Sequence, residues 1–173
     1  MKRYKDHKQF RLPYYNYAST GLYFITICTA GRNPQFGRIV NGEMQYSPIG
    51  EIVDECVRSI PEISKFANID TYVIMPDHLH AIIVIENEQE EKILPEVRFR
   101  LRKNSLSTIV LGLKRAATLA SQKIGMYDKI WQPRFHDRII RNEQELFAIR
   151  KYIIDNPAQW ELKQHHKINS IKM

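Results

Sequence analysis

The first strong pattern in the chain is Leu22-Tyr23-Phe24-Ile25-Thr26-Ile27-Cys28-Thr29, a run dominated by apolar and β-branched residues that starts after Gly21 and is bounded by Gly31 and Pro34. A short run of β-branched and aromatic residues between turn formers predicts a buried strand. Phe36 to Val40 and Glu43 to Tyr46 then flank Asn41-Gly42, a dipeptide that suits the positive φ angles of a tight hairpin turn. Ser47-Pro48 opens a segment in which Ile49, Ile52, Val53, Cys56, Val57 and Ile60 recur at helical spacing, predicting an amphipathic helix stopped by Pro61. Two further runs, Asp70 to Met75 and His78 to Ile85, are separated by Pro76-Asp77 and predict antiparallel neighbours or one sharply broken strand. The acidic stretch from Glu86 to Glu91 predicts a loop. A second helix is expected from about Ser105 to Lys123, capped by Ser105 or Ser107, with Ile109, Val110, Leu113, Ala116, Ala117 and Ala120 as its buried stripe and Gly125 at its end. Phe135 to Ile140 predicts a short strand. Asn142 followed by Glu145 is a capping-box pattern that opens a third helix, Glu143 to about Asp155, closed by Pro157. Antiparallel strands interspersed with three helices predict an α+β fold, one sheet with helices packed on it.

The length of 173 residues makes this one domain, 1–173, with a basic N-terminal arm over 1–20 and a polar tail over 161–173. At 43% hydrophobic residues a disordered chain is excluded, and no apolar run reaches the roughly 18 residues of a membrane span. The opening residues carry charge with no apolar segment behind them, so a cytoplasmic location is expected. Two cysteines, Cys28 and Cys56, build neither a disulfide framework nor a cysteine metal cluster. The net charge of +7 is unevenly spread: 11 acidic and 3 basic residues lie between Glu51 and Glu96, leaving 23 basic and 8 acidic for the rest. Basic clusters at Lys2 to Arg11, at Arg98 to Lys103, and at Arg134, Arg138, Arg141, Arg150 and Lys151 accompany Trp131, Phe135 and Tyr152. That mixture favours a nucleic acid, whose phosphates meet cations while its bases stack on aromatic rings.

His78-Leu79-His80 sits in an apolar strand, where alternate residues share a face and lie roughly 6–7 Å apart. The two imidazoles are therefore either a metal-binding pair or a pair of partly buried, hydrogen-bonded histidines. Tyr152 and Asn156 are one helical turn apart, so phenol and amide project from neighbouring points of the third helix. If that helix packs on the histidine strand, two imidazoles, an amide oxygen and a phenol meet. Such a set suits Mg²⁺ or Mn²⁺ once a phosphate completes the shell, and makes the phenol a nucleophile. Otherwise Tyr152 is a core tyrosine and Asn156 a helix-ending residue before proline.

Three segments resemble the REP-associated tyrosine transposases, which belong to the single-tyrosine HUH transposases of the insertion sequence 200 type. They are Tyr72 to His80 (YVIMPDHLH), Ile130 to Asn142 (IWQPRFHDRIIRN) and Tyr152 to Pro157 (YIIDNP), and the likeness runs in order from about Tyr23 to Trp160. The resemblance implies a ferredoxin-like antiparallel sheet, a divalent metal held by His78 and His80, and Asn156 as the polar ligand one turn after the tyrosine, where many insertion-sequence relatives carry glutamine. It also implies that Tyr152 attacks a phosphodiester of single-stranded, hairpin-forming DNA, leaving a 5′-phosphotyrosyl link and a free 3′-hydroxyl, and that rejoining reverses the attack. Candidate backbone contacts are Arg98, Arg100, Arg102, Lys103, Lys114, Arg115, Arg134 and Arg138. His136 and Asp137 are candidates to orient the phenol or a metal-bound water, and Trp131 either stacks a base or fills the core. Some relatives are homodimers that exchange tyrosine helices, but the short Arg141-Asn142 link favours a helix on its own subunit. Two other functions fit the same residues: a hairpin DNA- or RNA-binding module with structural histidines, and a metal phosphodiesterase that uses water.

Overall fold

A computed structural model describes residue 12, residues 15–87 and residues 103–171, with the side chains of 164–171 not described. Among the described residues six strands and four α-helices follow in the order β1 (Gly21–Cys28), β2 (Gly37–Val40), β3 (Glu43–Tyr46), α1 (Pro48–Arg58), α2 (Ile60–Ile63), β4 (Ala67–Met75), β5 (His78–Ile85), α3 (Leu106–Lys123), β6 (His136–Ile140) and α4 (Glu143–Ile171). The main sheet has the order β4-β5-β1-β6, with every neighbouring pair antiparallel. Leaving aside the β2–β3 hairpin and α4, this is the split β-α-β arrangement of a ferredoxin-like fold. Among the described residues no helix is long and apolar enough to cross a membrane.

Alternation along the strands sorts the side chains. Tyr23, Ile25, Ile27, Leu79, Ala81, Ile83 and Ile85 enter the larger core with Val53 and Val57 of α1 and Ile109, Leu113 and Ala117 of α3. The opposite face carries Leu22, Phe24 and Ile82, covered by Leu146, Ile149 and Ile153 of α4. The His-Leu-His segment is thus split, with Leu79 in the main core and both histidines on the α4 face. Ile153 is 1% exposed at the centre of the smaller core. Ile153→Ala is expected to cost about 2–5 kcal/mol in urea unfolding, since a deleted buried side chain loses its transfer energy and leaves a cavity.

The hairpin forms as its turn chemistry requires, with Asn41 at φ 54° and Gly42 at φ 76°. Ser47 and Ser105 accept the N–H groups of Gly50 and Thr108 and so cap α1 and α3. Three expectations need correction. Pro61 does not simply stop a helix; it stands in the first turn of α2, where its missing N–H costs nothing. Pro157 does not close α4, which continues to Ile171, so the described part of the polar tail, residues 161–171, belongs to this helix. Side-chain contacts hold this helix on both sides of the proline. Arg150 forms a two-pronged bond to Asp70 of β4, and the Glu161 carboxylate accepts the backbone N–H groups of Asn41 and Gly42 at 3.0 and 2.7 Å. Those contacts offset the hydrogen bond a proline removes. The expected N-terminal arm ends in packed residues, because Tyr15 and Tyr17 lie against the main core and Ala18 is buried.

Candidate active site

His78 and His80 point from β5 toward α4 and are only 6% and 5% exposed. Their Nε2 atoms are 3.0 Å apart, and the Tyr152 hydroxyl lies 3.1 Å from His80 Nε2. Each ring is held from behind. His78 Nδ1 is 2.5 Å from an Asp77 carboxylate oxygen, and His80 Nδ1 is 2.9 Å from Thr26 Oγ1 on β1. A carboxylate oxygen only accepts, so His78 carries its proton on Nδ1 and presents a lone pair on Nε2, the tautomer expected of a metal ligand. Phe24 stacks on His80 with ring centres 5.3 Å apart and meets Tyr152 edge-on at 6.1 Å. Trp160 of α4 approaches His78 to 5.8 Å.

Burial, above all, lowers the pKa of both histidines. For His78 the bond to Asp77 opposes the shift; for His80 the proximity of His78 adds to it, and its pKa falls to about 3. Both rings are therefore neutral near pH 7. In metal-free buffer the unfolded chain binds protons near pH 6.5 that the folded His80 takes up only near pH 3, so stability is full above about 6.5 and falls as pH drops between these values. A loss of about 1–2 kcal/mol between pH 7 and 5 is expected from urea midpoints, and His80→Gln should flatten the profile. A midpoint independent of pH in the wild type contradicts the burial of neutral rings.

The donors that could hold a divalent ion are the two Nε2 atoms, with oxygen from the α4 side. Two donors about 2.1 Å from one ion and at right angles lie about 3 Å apart, which matches the imidazole pair. Among the described residues no group of three or more His, Cys, Asp or Glu comes together to hold a metal; the Asn156 amide and the Tyr152 phenol are the other polar groups on this side of α4. Asn156 is 9% exposed, one turn beyond Tyr152 on the same helix, and is not an exposed helix end. Tyr152 itself is 50% exposed, so it is not the core tyrosine that one reading allowed.

The other candidates separate. Trp131 is 7% exposed, packs on Phe36 and donates its indole N–H to the Lys114 carbonyl, so it fills the core and is not available to stack a base. Asp137 pairs with Ile25 in the sheet and so belongs to the face opposite the histidines; it cannot orient the phenol. His136 pairs with Thr26 and shares the histidine face, two strands from His80. Lys114 is braced inside the protein, its ammonium donating to the carbonyls of Gln132 and Arg134 at 2.8 and 2.6 Å, while burial lowers its pKa to about 8. Those two bonds use two of the three donors of its ammonium. Arg134 is exposed, and Arg138, on the histidine face, pairs with Glu145 at 2.8 Å. Lys103 and Arg115 are exposed beside or on α3, in the layer across the sheet from α4. Arg98, Arg100 and Arg102 lie outside the described residues.

Sequence reasoning missed Asp77, Thr26, Phe24 and Trp160. Asp77 was signalled by adjacency to His78 in a tight turn. Thr26 and Phe24 depend on the register of β1 against β5, and Trp160, two turns beyond Tyr152, was hidden by the expected stop at Pro157.

No family model matches the chain. A Haemophilus influenzae protein, described only as uncharacterized, is 35% identical over 164 residues, which is 91% of each chain. A solved structure described as a REP-associated tyrosine transposase bound to a REP hairpin superposes with a TM-score of 0.58 at 20% identity, covering 92% of this chain and 74% of the other. The chain thus belongs to the same family as the Haemophilus influenzae protein, and its fold is that of the REP-associated tyrosine transposases.

Proposed function

We propose that the protein is a single-stranded DNA strand transferase that cuts and rejoins a hairpin-forming strand through a covalent bond to Tyr152, with Mg²⁺ or Mn²⁺ held by His78 and His80. The observation that carries this reading is the hydroxyl of a half-exposed tyrosine 3.1 Å from one of two converging, neutral imidazoles. Two imidazole nitrogens 3.0 Å apart are held together either by one shared N–H or by a cation between them, and a metal takes the place of that proton. The Asn156 amide oxygen is the further protein donor, and a substrate phosphate completes the shell. When bound, the ion supplies charge that polarises the phosphorus and favours the phenolate.

Tyr152 Oη forms a bond to phosphorus as the bond from phosphorus to the 3′-oxygen breaks. The phenol proton is lost and the departing 3′-oxygen gains one, so no net proton is consumed. One phosphodiester replaces another, so no nucleoside triphosphate is needed, and attack by a DNA 3′-hydroxyl on the phosphotyrosine runs the step backward. Arg134 and Arg138, on the histidine side, hold the strand's phosphates, a role their position supports. The hairpin in the solved structure of this fold supports a hairpin substrate here.

The test uses palindromic oligonucleotides taken from the DNA flanking the gene, labelled at one end, with Mg²⁺ or Mn²⁺. Label at the 3′ end should travel with the protein on a denaturing gel, label at the 5′ end should appear on a released fragment, and EDTA should abolish both. Covalent capture of the 5′-labelled fragment, or the absence of adduct from every flanking palindrome, would falsify the reading.

A further inference from the structure

On the histidine face α4 packs on β4, on β5 and on Leu22 and Phe24 of β1, and the flank of the site lies farther along β1, toward Cys28. There a cavity of about 210 Å³ is lined by Thr26 and Cys28 of β1 and by Gln132, Arg134, Phe135 and His136. Thr26 joins it to the site directly, since its hydroxyl meets His80 Nδ1 on one side while its backbone pairs with His136 on the other. His80, Thr26 and His136 form one row across three strands, so the cavity opens roughly 5–10 Å from the histidines, a distance one nucleotide can span.

The wall of this cavity is preformed. Gln132 N–H donates to the Cys28 carbonyl, Thr29 bridges to Trp131, and Lys114 fastens the carbonyls of Gln132 and Arg134. Arg134 is held at φ 66°, a left-handed conformation uncommon outside glycine, and such backbone persists where surrounding contacts over-determine it, often at binding sites. Strand transfer uses only Arg134 of the Trp-Gln-Pro-Arg-Phe-His segment.

We infer that this cavity receives the unpaired nucleobase adjoining the scissile phosphate, with the part of Phe135 not packed on the main core lining the ring, Gln132 and His136 reading its polar edge and Arg134 on the neighbouring phosphate. The inference rests on the strand-transferase reading. A volume below the roughly 300–1,000 Å³ of drug-sized pockets suits one aromatic ring system and not a base pair. The lining supplies what recognition of a splayed-out base needs: an aromatic face, amide and imidazole hydrogen-bonding groups, and a cation.

The test measures binding without cleavage. The wild-type chain in EDTA is challenged with single-stranded DNA 20-mers randomised at every position, and the bound fraction is sequenced. One base should be enriched roughly 5- to 100-fold at a single unpaired position. Gln132→Ala and His136→Ala should flatten that position while overall affinity stays within about 3-fold. Gln132→Glu and His136→Gln, which nearly conserve volume, should change the preferred base, and they decide the matter if the alanine variants melt early. A wild-type profile without preference, or the same profile in all variants, overturns the inference. Because the readout is binding, an unchanged profile alongside normal adduct formation counts against the cavity alone, whereas a selective profile without any adduct counts against strand transfer alone.

Discussion

Tyr152→Phe is expected to lower covalent protein–DNA adduct by at least about 10³-fold while changing hairpin affinity less than about 3-fold. The substitution removes one oxygen from a half-exposed ring. Phe24, 6.1 Å from the Tyr152 ring centre, and His80, 5.2 Å away, contact the part of the side chain that remains, so α4 should stay seated. The loss therefore reports the nucleophile and not the fold. A denaturing gel reads adduct, and fluorescence anisotropy in EDTA reads affinity. Adduct at the wild-type level in this variant removes Tyr152 from the chemistry. Cleavage that persists without adduct transfers attack to water and makes the protein a metal phosphodiesterase. Tight binding with no cleavage even in the wild type leaves a hairpin-binding module.

Local signals and long-range signals were not equally readable in the chain. The limits of β5 follow from an apolar run between Pro76-Asp77 and Glu86, and the hairpin follows from Asn41-Gly42, because each depends on a few adjacent residues. The histidines share a face for the same local reason. The strand order β4-β5-β1-β6 is carried by contacts between distant segments, and its ferredoxin-like form was expected from family resemblance and not from periodicity. The largest error lay at Pro157, where a rule about helix interiors met a tertiary override: Arg150–Asp70 on one side and Glu161 with the hairpin turn on the other. The site was legible through its own side chains, His78, His80 and Tyr152. The groups that orient them, Thr26 and Phe24, belong to another strand, and only the β1–β5 register brings them in. Lys114 was equally illegible in its tertiary contacts, since nothing local reveals that two of its three ammonium donors go to the carbonyls of Gln132 and Arg134.

His80→Ala should separate the metal from the strand. His80 lies between three partners: its Nε2 faces both His78 and the phenol, and its Nδ1 rests on Thr26. Its removal leaves His78 as a single imidazole, and one neutral nitrogen with an amide oxygen is a poor divalent site. Mn²⁺ affinity by calorimetry is expected to fall by at least about 100-fold, and adduct yield at a fixed low Mn²⁺ concentration by a similar factor. Hairpin affinity in EDTA should persist, because no phosphate contact is assigned to this ring. His78→Ala should behave alike, whereas Asp77→Asn, which keeps both imidazoles and weakens only the acceptor behind His78, should cost about 10-fold in Mn²⁺ affinity and respond to added metal. That gradation distinguishes a metal site from a structural histidine pair. A purely structural pair predicts that all three substitutions change melting temperature and none changes Mn²⁺ affinity. It also predicts no rescue of Asp77→Asn by metal, because the carboxylate would then serve packing and not the basicity of a ligand.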